Sequence, residues 1–337
     1  MTILQKYNLD INLTEIQEKY SEIHRFYHTF EHIEFLINKI NKKFELDEKE
    51  REILILTALF HDIIYNSQKT DNELQSVNFL KSKLIEEITT EIEQVCNIIL
   101  TTKSHKKTND KLTNIFCELD MWRLSNGSFI DIFEDERKIF KEYQYNNYNT
   151  YKINRIKFLN SIKLTYGINN TQNIDLLIDW ISTQKINVGV YAGSFNPFHK
   201  GHYDILQKGQ KIFDKIILAI GINPEKSTSP GYIQKLKLNI QKLQEKLNIE
   251  ICFYDGLLTS FIKEKQIQDK INITLIRGLR DGFDLTYENK QIQFMKDIYS
   301  ELKTIYIQSE RNLDHISSSA IKYLEKYDKE LVKKYLP

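Results

Sequence analysis

A chain of 337 residues with 41% hydrophobic content is long enough for two domains, each with its own buried core. Its 47 basic and 46 acidic side chains leave a formal charge of +1, without the basic excess that marks a polyanion partner, so no nucleic-acid binding is expected. The scattered cysteines Cys96, Cys117 and Cys252 form no knuckle or redox pair, and no apolar run approaches a membrane span; a soluble cytoplasmic protein with reduced thiols is expected.

From about Leu13 to Trp180, apolar residues recur at helical intervals, as in Ile33, Leu36, Ile37 and Ile40 and again in Ile53, Leu56, Leu59 and Phe60. This half is expected to be nearly all helix. Tyr27-His28-Thr29-Phe30-Glu31-His32 sets two imidazoles four residues apart, which predicts both on one helix face. Phe60-His61-Asp62 ends an apolar helix with an imidazole and a carboxylate side by side where a buried segment meets solvent. Such nitrogen and oxygen donors suit a divalent transition metal such as Mn2+, Fe2+ or Zn2+, alone or beside magnesium. Asp120 is the candidate for a further ligand, and His105 is a candidate to complete a second metal position. The segment Tyr143 to Asn154 is rich in Tyr and Asn, but Ile139, Phe140, Ile156, Phe158 and Leu159 around it fit a plain helical pair better than a base-stacking surface.

Polar residues between Ser182 and Asn187 mark a boundary, which gives domains of residues 1–182 and 186–337. Beyond it come short apolar runs, Val188 to Ala192, Ile216 to Ile220, Ile249 to Tyr254, Ile273 to Ile276 and Thr304 to Ile307, separated by amphipathic stretches of helix length. Alternation of this kind predicts a parallel sheet with helices on both faces. The first strand runs into Gly193-Ser194-Phe195-Asn196-Pro197-Phe198-His199-Lys200-Gly201-His202, with a helix expected from about Tyr203. At such a strand end the free amides and positive dipole end of a following helix suit a phosphate. Gly193 permits close backbone approach, Ser194 offers a hydroxyl, and His199 and His202, one turn apart, can face one anion. Arg277 and Arg280 follow the fourth strand, where their planar forks can grip phosphate, and Ser317-Ser318-Ser319 opens a helix near the end of the chain.

The string from Gly193 to His202 resembles the signature of the nucleotidylyltransferase superfamily, whose members share a Rossmann-like fold. Within it, Tyr254-Asp255-Gly256-Leu257-Leu258-Thr259-Ser260-Phe261, Arg277-Gly278-Leu279-Arg280-Asp281 and Ile316-Ser317-Ser318-Ser319 resemble, in order, the pantetheine loop, the arginine segment and the nucleotide-phosphate segment of phosphopantetheine adenylyltransferases. The resemblance implies transfer of AMP from ATP to 4′-phosphopantetheine with magnesium, giving dephospho-CoA and pyrophosphate on the route to coenzyme A. His202 and Lys226 would act at the transition state, and Ser194 would orient the acceptor phosphate. Gly193, Phe195, His199, Leu258, Thr259, Arg277, Gly278, Arg280, Glu288 and Ser317 to Ser319 would serve ATP or the acceptor. It also implies a homo-oligomer, with hexamers frequent among relatives. Asn196, His199 and Ser260 depart from the family pattern, and the first string also resembles nicotinate or nicotinamide mononucleotide adenylyltransferases, the alternative acceptor class.

In the helical half, Tyr27 to Ile33, Phe60 to Tyr65, Asp71-Asn72-Glu73 and Asp120 resemble HD-domain metal-dependent phosphohydrolases over about residues 12–165. This implies His32, His61, Asp62 and Asp120 as ligands, His28 as a proton donor by analogy with cyclic-nucleotide phosphodiesterases, Glu73 as a residue orienting water, and an unidentified phosphoester substrate. A ligand-sensing or assembly module that keeps the metal without turnover is the rival reading.

Overall fold

Local capping residues set where several of the amino-terminal helices begin. The computed structural model describes residues 2–166, 171–222, 243–244, 247–280 and 282–337. In it the first half carries α1 (Ile3–Lys6), α2 (Leu13–Tyr20), α3 (Phe30–Asn41), α4 (Glu48–Phe60), α5 (Asn72–Ser82), α6 (Thr90–Thr102), α7 (Lys111–Asp120), α8 (Trp122–Asn126), α9 (Phe129–Glu142), α10 (Tyr148–Tyr166) and α11 (Thr171–Thr183). Asp47 accepts the Glu50 N–H at 2.8 Å while Glu50 accepts the Asp47 N–H at 3.1 Å, a reciprocal cap that starts α4. The last eight residues of α4 are apolar but for Thr57, and most are fully buried, so it forms the centre against which α3, α5, α6 and α7 pack. A smaller core of Ile132, Leu159, Ile162, Ile174, Leu177 and Ile181 joins α9, α10 and α11.

The expected helix through His28 and His32 starts later than its spacing suggested. Thr29 is the extended N-cap of α3, with φ −106° and ψ 172°, so His28 precedes the helix and the two imidazoles do not share a helix face. The cause lies outside the local sequence: Glu142 Oε1 accepts the backbone N–H groups of Phe26, Tyr27 and His28 at 2.8, 2.7 and 2.9 Å, which fixes those residues in a loop.

The second half holds β1 (Asn187–Gly193), α12 (Lys200–Gln210), β2 (Lys215–Gly221), β3 (Glu250–Tyr254), α13 (Leu258–Asp269), β4 (Asn272–Leu279), α14 (Gly282–Ile298), β5 (Lys303–Gln308), α15 (Ser318–Glu325) and α16 (Lys329–Lys333). The five strands are all parallel in the order β3-β2-β1-β4-β5. Ile216 to Ile220 are all buried, as a strand covered on both faces requires. Gly189 lets β1 lie close under its cover, since a Cβ there would sit 2.6 Å from Ile276 Cδ1 and 2.7 Å from Phe213 Cδ2. Because β1 has β2 on one side and β4 on the other, the strand order reverses between β1 and β4, the point at whose carboxyl ends open sheets of this kind bind ligands. Among the described residues no helix is long and apolar enough to cross a membrane.

The chain divides into two compact units, Met1–Tyr143 with Lys152–Thr183 and Gln144–Tyr151 with Gln184–Pro337. The short segment from Gln144, which the sequence groups with the helical half, therefore belongs to the α/β unit. Lys215, 2% exposed at the start of β2, donates to the carbonyl oxygens of Gln144 and, at 2.7 Å, Asn146, and Asn149 Nδ2 donates to the Gln268 carbonyl at 3.2 Å.

Candidate functional site

At the carboxyl end of β1 the chain turns through Phe195, whose φ of 43° lies in the left-handed region, and enters α12 with His199 as its extended N-cap. The helix thus begins at Lys200, three residues before the expected start. The His199 and His202 rings stack with centroids 3.6 Å apart, and Phe195 meets the His202 ring edge-on at 5.0 Å. The backbone N–H of His199 donates to His202 Nδ1 at 3.3 Å, so the proton of a neutral His202 resides on Nε2. Burial, then the nearby His199 and Arg280, push His202 down to about 3; burial and Arg280 push His199 down to about 4. Both imidazoles are neutral at physiological pH. Nδ1 of His199 is buried with no hydrogen-bond partner among the described residues.

Of the other expected residues, Ser318 and Arg280 lie near this turn. Ser318 Oγ donates to the Pro197 carbonyl at 3.0 Å, which brings the start of α15 to the motif, and Ser317 caps α15 by accepting the Ala320 N–H at 3.1 Å. Ser319 is exposed in its first turn. Arg277, within β4, forms a two-pronged pair with Glu288 of α14, one contact being 2.7 Å between Nη2 and Oε1. Arg280, just past β4, grips Asp284 with both contacts at 2.9 Å. Gly278 admits Ile205 of α12, because a Cβ there would lie 3.1 Å from Ile205 Cγ1 and 3.2 Å from the Tyr191 hydroxyl. Gly193 closes β1, Ser194 is exposed directly after it, and Leu258 and Thr259 are buried at the opening of α13. Lys226 lies outside the described residues.

A second cluster sits in the helical unit. His32 of α3, His61 at the end of α4 and Asp120 at the end of α7 bring one ligand atom each within 4.8 Å of one another. His61 Nδ1 lies 3.0 Å from the Ala58 carbonyl, which takes the ring proton and turns Nε2 inward. That Nε2 is buried without an aligned hydrogen bond, 3.0 Å from Asp62 Oδ2 and 3.8 Å from Asp120 Oδ1. Burial alone would lower the His61 pKa, yet the field of Asp62 and Asp120 pushes it up to about 9. The two imidazoles and the Asp120 carboxylate, with Asp62 outside that group but beside His61, make a donor set that fits a divalent transition ion. His105 Nε2 lies 2.7 Å from Asp120 Oδ2 and is not one of the converging donors. Glu73 is in the first turn of α5 and not among the clustered donors.

His28 faces this cluster from its loop, with Nε2 4.0 Å from Asp62 Oδ2 and Nδ1 2.6 Å from Glu142 Oε2. Tyr65 stacks on His28 at 4.1 Å and donates its hydroxyl to the same Glu142 oxygen at 2.9 Å. Arg25 Nη1 ties the loop to the His-Asp turn through the carbonyls of His28 at 3.2 Å and Asp62 at 2.7 Å. Sequence reasoning did not single out Arg25, Tyr65 or Glu142. Glu142 carries no local signal, because the groups it holds lie 114 to 116 positions away.

Residues 190–323 match the family model described as cytidylyltransferase-like. The chain is similar to the phosphopantetheine adenylyltransferase of Cytophaga hutchinsonii, 38% identical over 144 residues that make up 42% of this chain and 91% of that protein. The enzyme of the same name from Buchnera aphidicola is 37% identical over 151 residues, 44% of this chain and 88% of that protein. That from Clostridium beijerinckii is 34% identical over 142 residues, 42% of this chain and 86% of that protein.

Proposed function

We propose that this chain, which belongs through its carboxy-terminal half to the phosphopantetheine adenylyltransferase family, transfers AMP from magnesium-ATP to 4′-phosphopantetheine. The acceptor phosphate attacks the α-phosphorus in line, pyrophosphate leaves, and dephospho-CoA forms. Nothing in this step asks for a covalent intermediate; its rate comes from position and charge stabilisation. The observation that carries the reading is the placement of His202 at the carboxyl end of β1, its Nδ1 taken by the His199 N–H so that Nε2 holds the proton, with the start of α15 joined to the same turn through Ser318 and Pro197. His202 donates to the phosphoryl oxygens as charge builds, Ser194 and the helix amides orient phosphate, and Arg277 and Arg280 trade their carboxylate partners for phosphate oxygens. Lys226 joins them in this assignment.

The test supplies purified protein with magnesium-ATP and either 4′-phosphopantetheine or nicotinamide mononucleotide and follows pyrophosphate. Release is expected with the first acceptor; release with the mononucleotide alone overturns the acceptor while keeping AMP transfer. Light scattering tests the accompanying proposal of a homo-oligomer, a hexamer by family likeness.

For the helical unit, we propose an HD-type metal-dependent phosphohydrolase in which His32, His61, Asp62 and Asp120 hold a Mn2+, Fe2+ or Zn2+ ion. A bound ion of this kind supplies charge stabilisation to a phosphoryl oxygen and makes a neighbouring water more acidic. His28 Nε2 faces the same space and delivers a proton to the leaving oxygen, with Glu142 holding the opposite ring nitrogen. Incubation of the full chain with manganese and a panel of phosphoesters is expected to show hydrolysis that Asp62→Ala abolishes. Metal binding without turnover of any ester would instead establish a sensing or assembly module.

A further inference from the structure

Asp120 presents its two carboxylate oxygens to different partners. Oδ1 lies 3.0 Å from His32 Nε2 and 3.8 Å from His61 Nε2, inside the donor cluster. Oδ2 lies 2.7 Å from His105 Nε2, outside it. We infer that His105 is a positioning residue for a single-ion centre, occupying the outer oxygen of Asp120 so that only Oδ1 is offered to the metal beside His32, His61 and Asp62. The inference rests on the metal-binding reading of the helical unit.

The backbone at His105 supports this role. α6 ends at Thr102, and a turn follows in which the His105 N–H donates to the Thr101 carbonyl at 2.9 Å with His105 at φ 50°. A helix terminus in that left-handed conformation favours glycine or asparagine. A histidine there accepts backbone strain, and its imidazole, largely buried with 14% side-chain exposure, is directed to Asp120. A donor on one carboxylate oxygen restricts the group to one-oxygen binding and fixes its rotation. One such oxygen with two imidazole nitrogens suits a small transition ion, whereas calcium needs six to eight oxygens, often from two-oxygen carboxylates. His105 itself therefore lies in the shell behind the ligands and not at a second ion.

Full-length protein freed of metal by chelation is titrated with Mn2+ by calorimetry and electron paramagnetic resonance, comparing the wild type with His105→Gly and His105→Gln. Glycine accepts the left-handed turn, so His105→Gly removes the imidazole without straining the fold, which its metal-free unfolding midpoint checks. The wild type is expected to bind one manganese per chain that excess calcium does not displace. His105→Gly should bind about tenfold to a hundredfold more weakly, and His105→Gln, which keeps an N–H at similar reach, should recover most of the affinity. Equal affinity in wild type and His105→Gly overturns the inference while leaving the metal centre standing. A second ion that disappears in His105→Gly overturns it in favour of His105 as a ligand. Absence of manganese binding by the wild type overturns the metal centre itself.

Discussion

The proposed role of His202 at the phosphoryl group rests on a neutral ring whose single proton is confined to Nε2. The His199 N–H claims Nδ1, and burial beside His199 and Arg280 prevents a second proton from binding at neutral pH. A donor fixed in advance costs no reorganisation when charge develops on the phosphoryl group. His202→Ala is therefore expected to lower kcat of AMP transfer by a factor on the order of a hundred, with KM moved much less. Steady-state rates against both substrates check this, and an unchanged kcat would remove His202 from the transition state. This residue was legible because its partners are neighbours in sequence: the strand, the glycine and the paired histidines lie within one short string. Glu142 was not legible for the converse reason. It accepts from His28 across 114 positions, and no local pattern announces an acid that will be buried under a distant loop.

At the level of elements, strands were readable and helix starts were not. The inner strands of this parallel sheet are covered on both faces, so they read as plain apolar runs, as from Ile216 to Ile220, and the edge strands β3 and β5 are less buried. The beginnings of α3 and α12 depend instead on which residue takes an extended conformation, Thr29 in one case and His199 in the other, and for α3 the distant Glu142 decides that. The start of α12 has a consequence for stability. Two imidazoles stack at the positive end of a helix, where burial and Arg280 disfavour a further charge. Their folded pKa values, about 4 for His199 and about 3 for His202, lie below the ordinary 6.5. Between 6.5 and about 4 the unfolded chain binds protons that the folded chain refuses, so these residues make stability fall as pH falls through that window. Urea midpoints of the wild type should drop more between pH 7 and pH 4.5 than those of His199→Asn/His202→Asn. A parallel decline in both proteins would show that the pair carries no such linkage.

Across the whole molecule, the division of the chain is not a single cut. The helical unit takes residues on both sides of Gln144–Tyr151, while that segment joins the α/β unit. Composition could mark the change near Ser182, where helical periodicity gives way to apolar runs, but it could not assign eight polar and aromatic residues whose place depends on distant contacts, a buried amine among them. Lys215 is that amine: burial lowers its pKa, and Glu250 at 3.1 Å with the Gln144 and Asn146 carbonyls satisfies its ammonium group. Lys215→Met would remove the ammonium donor from those carbonyls and from Glu250, which keeps Lys265 at 2.7 Å and the Cys252 thiol at 3.5 Å. Removing one partner from a buried pair costs about 3 kcal/mol or more, and the loss should fall on the α/β unit. The two tryptophans, Trp122 and Trp180, both belong to the helical unit, so their fluorescence follows that unit while far-ultraviolet circular dichroism follows both. In urea, Lys215→Met is expected to bring forward part of the dichroism change while the fluorescence transition moves less. A shift confined to fluorescence would place the effect in the helical unit and defeat this account of the segment.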